Sequence, residues 1–136
     1  MAAVYLDSNI VISLVEDDPS GESALAARLG VLAGPDGRYV VSDWVRLEYR
    51  VKPLAVGDPA LLSEYDAYFR SMDVRVLTPT ALAYDRASEI RARHGYETPD
   101  ALHLATAIEA NCGMFATGDR RLADFTDIAV ALVAPD

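Results

Sequence analysis

The sequence predicts an α/β fold, a three-layer α/β/α sandwich around a mainly parallel five-stranded sheet. Three observations predict it. Short apolar, β-prone runs alternate with segments of helical periodicity along the chain. Strands separated by helices need crossover connections, and these cover both faces of a parallel sheet. No repeat, linker or compositional break divides the 136 residues, so residues 1–136 read as a single domain.

Val4-Tyr5-Leu6 reads as the first strand. Ile10, Val11, Leu14 and Val15 then recur at helical spacing until Glu16-Asp17-Asp18-Pro19 breaks the pattern. Ser20 is placed to cap a second helix with Leu25, Leu29 and Leu32 on one face, closed by Gly34-Pro35. Tyr39-Val40-Val41 is the second strand, and Ser42 caps a helix that carries Leu47 and Val51 and stops near Pro53. From about Pro59 a further helix sets Leu61, Tyr65, Tyr68 and Met72 along a stripe. Val74 to Leu77 form the third strand, and Thr80 opens a helix with Ala83, Ala87 and Ile90 inward, stopped by Gly95. Thr98-Pro99 starts the next helix, with proline where its missing N–H costs nothing. Its buried face is Ala101, Leu104, Ala105 and Ile108, and Gly113 closes it. Met114 to Ala116 and Ile128 to Val133 complete the sheet.

Hydrophobic residues make up 51% of the chain, enough for a core at this size. The longest apolar runs are strand-sized, and the N-terminus has no signal-peptide pattern; the expectation is a cytoplasmic protein with no membrane association. The one cysteine, Cys112, cannot form an internal disulfide and reads as buried packing. Twelve basic residues stand against twenty-one acidic ones, a net charge of −9. This argues against general nucleic-acid binding through a basic face. It leaves room for chemistry at an acidic site whose field bound divalent cations invert, and it suits a basic protein partner.

In a parallel sheet ligands bind beyond the carboxyl ends of the strands. Four acids fall there: Asp7 directly after the first strand, Glu48 in the second turn of the helix after the second, Asp100 in the first turn of the Thr98-Pro99 helix, and Asp119 just after the fourth strand. Each alone has a plain explanation. Asp7 can cap a helix, Glu48 can be solvated, Asp119 can be a turn residue, and Asp100 gains roughly 0.3–1 kcal/mol from the helix dipole without any function. Together they read as a site of hard oxygen donors that repel one another unless a cation intervenes, against the plain alternative of unrelated surface acids in an acidic protein. Such donors suit Mg²⁺ or Mn²⁺, which activate water and stabilise charge growing on a phosphodiester.

Three segments then carry a resemblance: Tyr5-Leu6-Asp7-Ser8-Asn9-Ile10-Val11-Ile12, Thr98 to Ala107 around Asp100, and Phe115-Ala116-Thr117-Gly118-Asp119. They resemble the acidic signatures of PIN domains, most closely those of VapC-type toxins, and Ser42 to Glu48 is similar to that family's second motif. The resemblance spans essentially the whole chain in the family's order. It implies dimerisation and Mg²⁺- or Mn²⁺-dependent endonuclease cleavage of RNA, leaving a 5′-phosphate and a 3′-hydroxyl. It implies that Asp7, Asp100 and Asp119 hold metal directly or through water while Glu48 completes the site, and that a small VapB-like antitoxin blocks it.

Ser8 and Thr117 are expected to support the carboxylates by hydrogen bonds. Arg46, Arg50, Arg120 and Arg121 are candidates for gripping RNA phosphates, weighed against plain surface salt bridges. Trp44 and the tyrosines could stack on bases, with core or dimer packing the plainer reading. Asp124 is a reserve ligand on what reads as a solvated face. His94 suits a helix end, and His103, one turn after Asp100, reads as a packed or surface histidine because nothing here resembles a nitrogen-rich zinc site. Two other readings compete. A phosphatase of the haloacid dehalogenase type also begins with an aspartate after strand one, but wants a second aspartate where Asn9 stands. A PIN-like module that binds RNA or protein without cutting is the non-enzymatic alternative.

Overall fold

The computed structural model describes residues 3–17, 23–71 and 74–133. Its elements are β1 (Ala3–Leu6), α1 (Ser8–Glu16), α2 (Ala24–Ala33), β2 (Arg38–Ser42), α3 (Val45–Val56), α4 (Pro59–Phe69), β3 (Val74–Leu77), α5 (Ala81–His94), α6 (Thr98–Glu109), β4 (Met114–Thr117) and β5 (Ala129–Leu132), with a turn of 3₁₀ helix at Arg120–Leu122. The strands form one sheet in the order β3-β2-β1-β4-β5, and every pairing is parallel.

Successive strand side chains point to opposite faces, and the apolar residues divide accordingly. Val4, Leu6, Val41 and Ala116 enter one core with Ile10 and Val11 of α1, Leu25 and Leu29 of α2, Tyr49 of α3 and Tyr65 of α4. Tyr5, Val40 and Phe115 enter the other with Ala83, Ala87 and Ile90 of α5 and Leu104 and Ala105 of α6. Helices therefore cover both faces, and the central strands β1, β2 and β4 are buried over most of their length, whereas the edge strands β3 and β5 stay partly exposed. Helix α6 is buried well beyond its predicted stripe: every residue from Ala101 to Ala107 is inside, since the sheet covers one side and α5 another. Among the described residues no helix is long and apolar enough to cross a membrane.

Several boundaries differ from the sequence reading. The predicted cap Ser20, the break residues Asp18 and Pro19, and Met72 lie outside the described residues. Ser23 caps α2, its Oγ accepting from the Ala26 N–H at 3.1 Å. Ser42 ends β2 rather than capping α3, and its Oγ accepts from the Trp44 N–H at 3.1 Å in the connecting turn. Helix α3 consequently starts at Val45, which puts Glu48 in its first turn and not its second. That helix also runs past Pro53 to Val56. Pro53 is buried, and its carbonyl accepts from both Gly57 and Asp58, which closes the helix on the left-handed Gly57 (φ 69°). Helix α6 ends at Glu109, not at Gly113; Asn111 takes the left-handed conformation (φ 59°), which its short polar side chain tolerates.

Candidate active site

Register places the first and third acidic segments side by side. Leu6 pairs with Ala116 on the neighbouring strand, so the next residues, Asp7 and Thr117, meet where β1 and β4 end. The Asp7 N–H donates to the Ala116 carbonyl at 3.0 Å, which carries the ladder one residue beyond β1. Crossovers on either side of β1 lie on opposite faces of the sheet, so this edge is the topological switch point.

Asp7 is 2% exposed. Its Oδ1 accepts from the Ser8 N–H at 2.8 Å, so it does cap α1. Its Oδ2 accepts from Thr117 Oγ1 at 2.8 Å and from Asn9 Nδ2 at 3.2 Å. Burial pushes the Asp7 carboxyl above the usual aspartate range, an effect only partly offset by nearby His103 and by these hydrogen bonds. Thr117 is wholly buried, and its oxygen also accepts from the Asp119 N–H at 3.0 Å, tying the third acidic segment to the first. Ser8 spans two acids, its N–H on Asp7 and its hydroxyl donating to Glu48 Oε2 at 3.3 Å.

Asp100, in the first turn of α6, feels both neighbours. Burial raises its pKa to about 6, followed by the charge of Asp7, with Arg121 pulling the other way. Asp119 is held below the ordinary range chiefly by its hydrogen bonds with Arg121. The Arg121 guanidinium grips Asp119, with Nη2 on Oδ2 at 2.6 Å, and reaches Asp100 Oδ2 at 3.3 Å. It is itself pushed well above its usual value by that pairing. A protein cation thus lies between two of the four acids. Among the described residues no group of three His, Cys, Asp or Glu side chains is drawn together tightly enough to hold a metal ion as it stands.

The other predicted residues separate. Arg46 and Arg50 turn to Asp66 of α4, at 4.0 and 3.3 Å, the salt-bridge arrangement and not a free basic patch. Arg120 is exposed and, with Asn9, Ser13, Gly118, Asp119 and Arg121, lines a cleft of about 630 Å³ beside the acids. Asp124 is exposed, and His94 stacks on Tyr96 at 5.1 Å between ring centres. Trp44 is half-buried, its Nε1 without a hydrogen-bond partner. Cys112 is buried and free.

Two residues of the site escaped the sequence reading. Asn9 accepts from the Gly118 N–H at 2.9 Å while donating to Asp7, so one amide ties the loop after β4 to the start of α1. Its signal was the spacing of two from Asp7. His103 is 1% exposed and its Nε2 lies 2.7 Å from Glu48 Oε1. Its signal was the i+3 spacing from Asp100, which puts both on one face of α6.

The electrostatics give a signed expectation for stability. Asp100 has its folded pKa raised from 3.8 to about 6. Below about pH 4 it is protonated whether folded or not, and its carboxyl costs nothing extra. As pH rises through about 6 it must ionise in an unfavourable place, and folded-state stability is lost. In protein stripped of metal, Asp100→Asn is therefore expected to be more stable than the parent, by up to about 3 kcal/mol, with the gain growing from about pH 4 to about pH 7. Urea unfolding across that range measures it. A variant less stable than the parent at neutral pH would mean that the Arg121 pairing outweighs burial.

Comparison with known proteins identifies the family and the fold. The family model for the PIN domain matches residues 4–128. Comparison with curated proteins gives no significant sequence match. Among solved structures, the fold is similar to that of VapBC2 from Rickettsia felis bound to a fragment of promoter DNA (TM-score 0.77, 14% identity, covering 95% of this chain and 97% of that one). It is also similar to DNA-bound VapBC from Salmonella typhimurium (TM-score 0.75, 16% identity, 96% and 98% covered). A third likeness is to Mycobacterium tuberculosis VapC20, described as a sarcin-ricin loop cleaving toxin (TM-score 0.65, 22% identity, 92% and 98% covered). At these identities the structures speak to fold, while the family model spans nearly the whole chain: this protein belongs to the PIN-domain family.

Proposed function

We propose that this chain is a divalent-metal-dependent endoribonuclease, the toxin of a type II toxin–antitoxin module. One observation carries the reading. A carboxylate buried at the switch point of the sheet, Asp7, is linked to Glu48 through Ser8, to Asp119 through Thr117 and to Asp100 by charge, and two of the four acids are pushed toward protonation. The donor set is all oxygen and fits Mg²⁺ or Mn²⁺. Asp7, Asp100 and Asp119 would hold the ion directly or through water. When bound, the ion supplies positive charge against the scissile phosphate and acidifies a water for attack. The family and the VapC likenesses support this reading, since VapC20 is described as a sarcin-ricin loop cleaving toxin.

The chain's own residues have distinct parts. Thr117, Ser8 and Asn9 fix the Asp7 carboxylate by hydrogen bonds, so little reorganisation is needed at the moment of reaction. Glu48 is the acid best placed to accept a proton from the attacking water without being occupied by Arg121. Arg121 neutralises Asp100 and Asp119 in the resting protein. With a divalent ion held by those acids, Arg121 would be free to pair with an RNA phosphate, and Arg120 lines the same cleft. The partner is a small antitoxin, as in the VapBC complexes that share the fold, and the net charge of −9 favours a basic segment on it. A homodimer working in the cytoplasm belongs to the same reading.

The non-enzymatic alternative has one observation on its side: Arg121 already bridges two of the acids, as in a site that never loads metal. Cleavage of purified total RNA in Mg²⁺ or Mn²⁺, with and without excess EDTA, separates the two. The nuclease reading expects cleavage that EDTA abolishes and that Asp7→Asn or Asp100→Asn removes with folding intact. Cleavage that persists in EDTA would refute the metal mechanism, and none with either ion would favour the binding module. Arg121→Ala is expected to tighten Mn²⁺ binding several-fold by calorimetry while weakening retention of RNA on filters. Unchanged Mn²⁺ affinity would show that the guanidinium does not compete for the acids.

A further inference from the structure

His103 projects from the middle of α6 into the interior, and both ring nitrogens are engaged. Nε2 lies 2.7 Å from Glu48 Oε1, and Nδ1 lies 2.7 Å from the Tyr5 hydroxyl. A carboxylate only accepts, so Nε2 carries the proton of that bond whichever way the Tyr5 hydroxyl is turned. A chain of polar groups thus runs from Tyr5 on β1 through His103 on α6 to Glu48 in the first turn of α3. Tyr5 is wholly buried and lies against Phe115 with near-parallel rings 5.4 Å apart, so the far end of the chain cannot swing. Glu48 itself is partly exposed on a helix start that has no side-chain cap. Left alone, its side chain would sample several rotamers.

We infer that His103, held by Tyr5, is a positioning residue for Glu48: the pair fixes one carboxylate oxygen and leaves the other turned toward Ser8 and the acidic site. The inference rests on the nuclease reading for its effect on rate, but the His103–Glu48 bond is testable without it. His103 touches neither Asp7, Asp100 nor Asp119 through any hydrogen bond described here, so it acts through Glu48 and not as a catalytic residue.

The test exploits the two ring nitrogens. An asparagine amide at this position has the reach of Nδ1 and keeps a partner for Tyr5. A glutamine amide has the reach of Nε2 and keeps a donor for Glu48. His103→Asn is therefore expected to slow Mn²⁺-dependent cleavage of total RNA by roughly 10- to 100-fold, the usual cost of losing such a support. His103→Gln is expected to retain most of the rate despite losing the Tyr5 contact. Combined with Glu48→Ala, His103→Asn should add no further loss, as for residues that act as a unit. In metal-free protein, a long-range ¹H–¹⁵N spectrum should show a slowly exchanging His103 Nε2 proton that exchanges freely in Glu48→Ala. Equal losses for the Asn and Gln variants at matched melting temperature, or losses that add to that of Glu48→Ala, would overturn the inference. So would an Nε2 proton indifferent to Glu48. If the parent protein fails to cleave RNA, the nuclease reading falls, and the imidazole spectrum still decides whether His103 holds Glu48.

Discussion

A carboxylate that is 2% exposed must be compensated, and much of the local structure around Asp7 follows from that requirement. Three groups donate to it: the first N–H of α1, the Thr117 hydroxyl and the Asn9 amide. Each belongs to a different structural commitment. The N–H requires a helix starting immediately after β1. Thr117 requires β4 beside β1 in this register, and Asn9 requires the loop after β4 to pass over the start of α1 and give up its Gly118 N–H. A neutral residue at position 7 would relax all three. That the sequence keeps an acid there, with burial raising its pKa, means that the folded state carries an electrostatic debt within its best-packed region.

The remaining acids deepen that imbalance. Asp100 is raised by burial and then by the charge of Asp7, and Arg121 offsets the excess on Asp100 and Asp119 only from the exposed side. An exposed guanidinium is a weak and easily displaced counterion, whereas a divalent ion concentrates twice the charge in a small volume. The same arrangement explains how a chain of net charge −9 can belong to a nuclease family. Attraction for phosphate need not come from a basic face when it can be supplied at one point by a bound cation.

Much of this was legible in the sequence, and the reasons are local. The parallel sheet followed from apolar runs too short for helices and separated by helical periodicity. Asp7, Asp100 and Asp119 could be placed at one edge because a strand end or a helix start fixes a residue's position within a few ångströms. Glu48 was assigned to the right helix but the wrong turn, since Ser42 looked like a cap and proved to be a strand end. Pro53 looked like a stop, yet α3 runs through it and closes on Gly57, with Pro53 buried in the packed helix layer. What the pattern could not show were contacts between distant side chains. His103 meeting Glu48 across 55 positions, Asn9 reaching Gly118, and Arg121 folding back on the acids instead of outward all depend on tertiary placement. Arg46 and Arg50 likewise needed the position of α4 before their pairing with Asp66 could be seen.

The central claim is that four acids form a site whose unfavourable charge a divalent ion relieves. Titration calorimetry of Mn²⁺ into metal-free protein, repeated in buffers of different ionisation enthalpy, tests it most directly because it counts the protons released on binding. With Asp100 titrating at about 6, binding near that pH should expel a substantial fraction of a proton, falling as pH rises toward about 8, and the release should be smaller in Asp100→Asn, where only Asp7 is still held above the usual aspartate range. Absence of Mn²⁺ binding, or binding near pH 6 that expels no proton, would contradict the account.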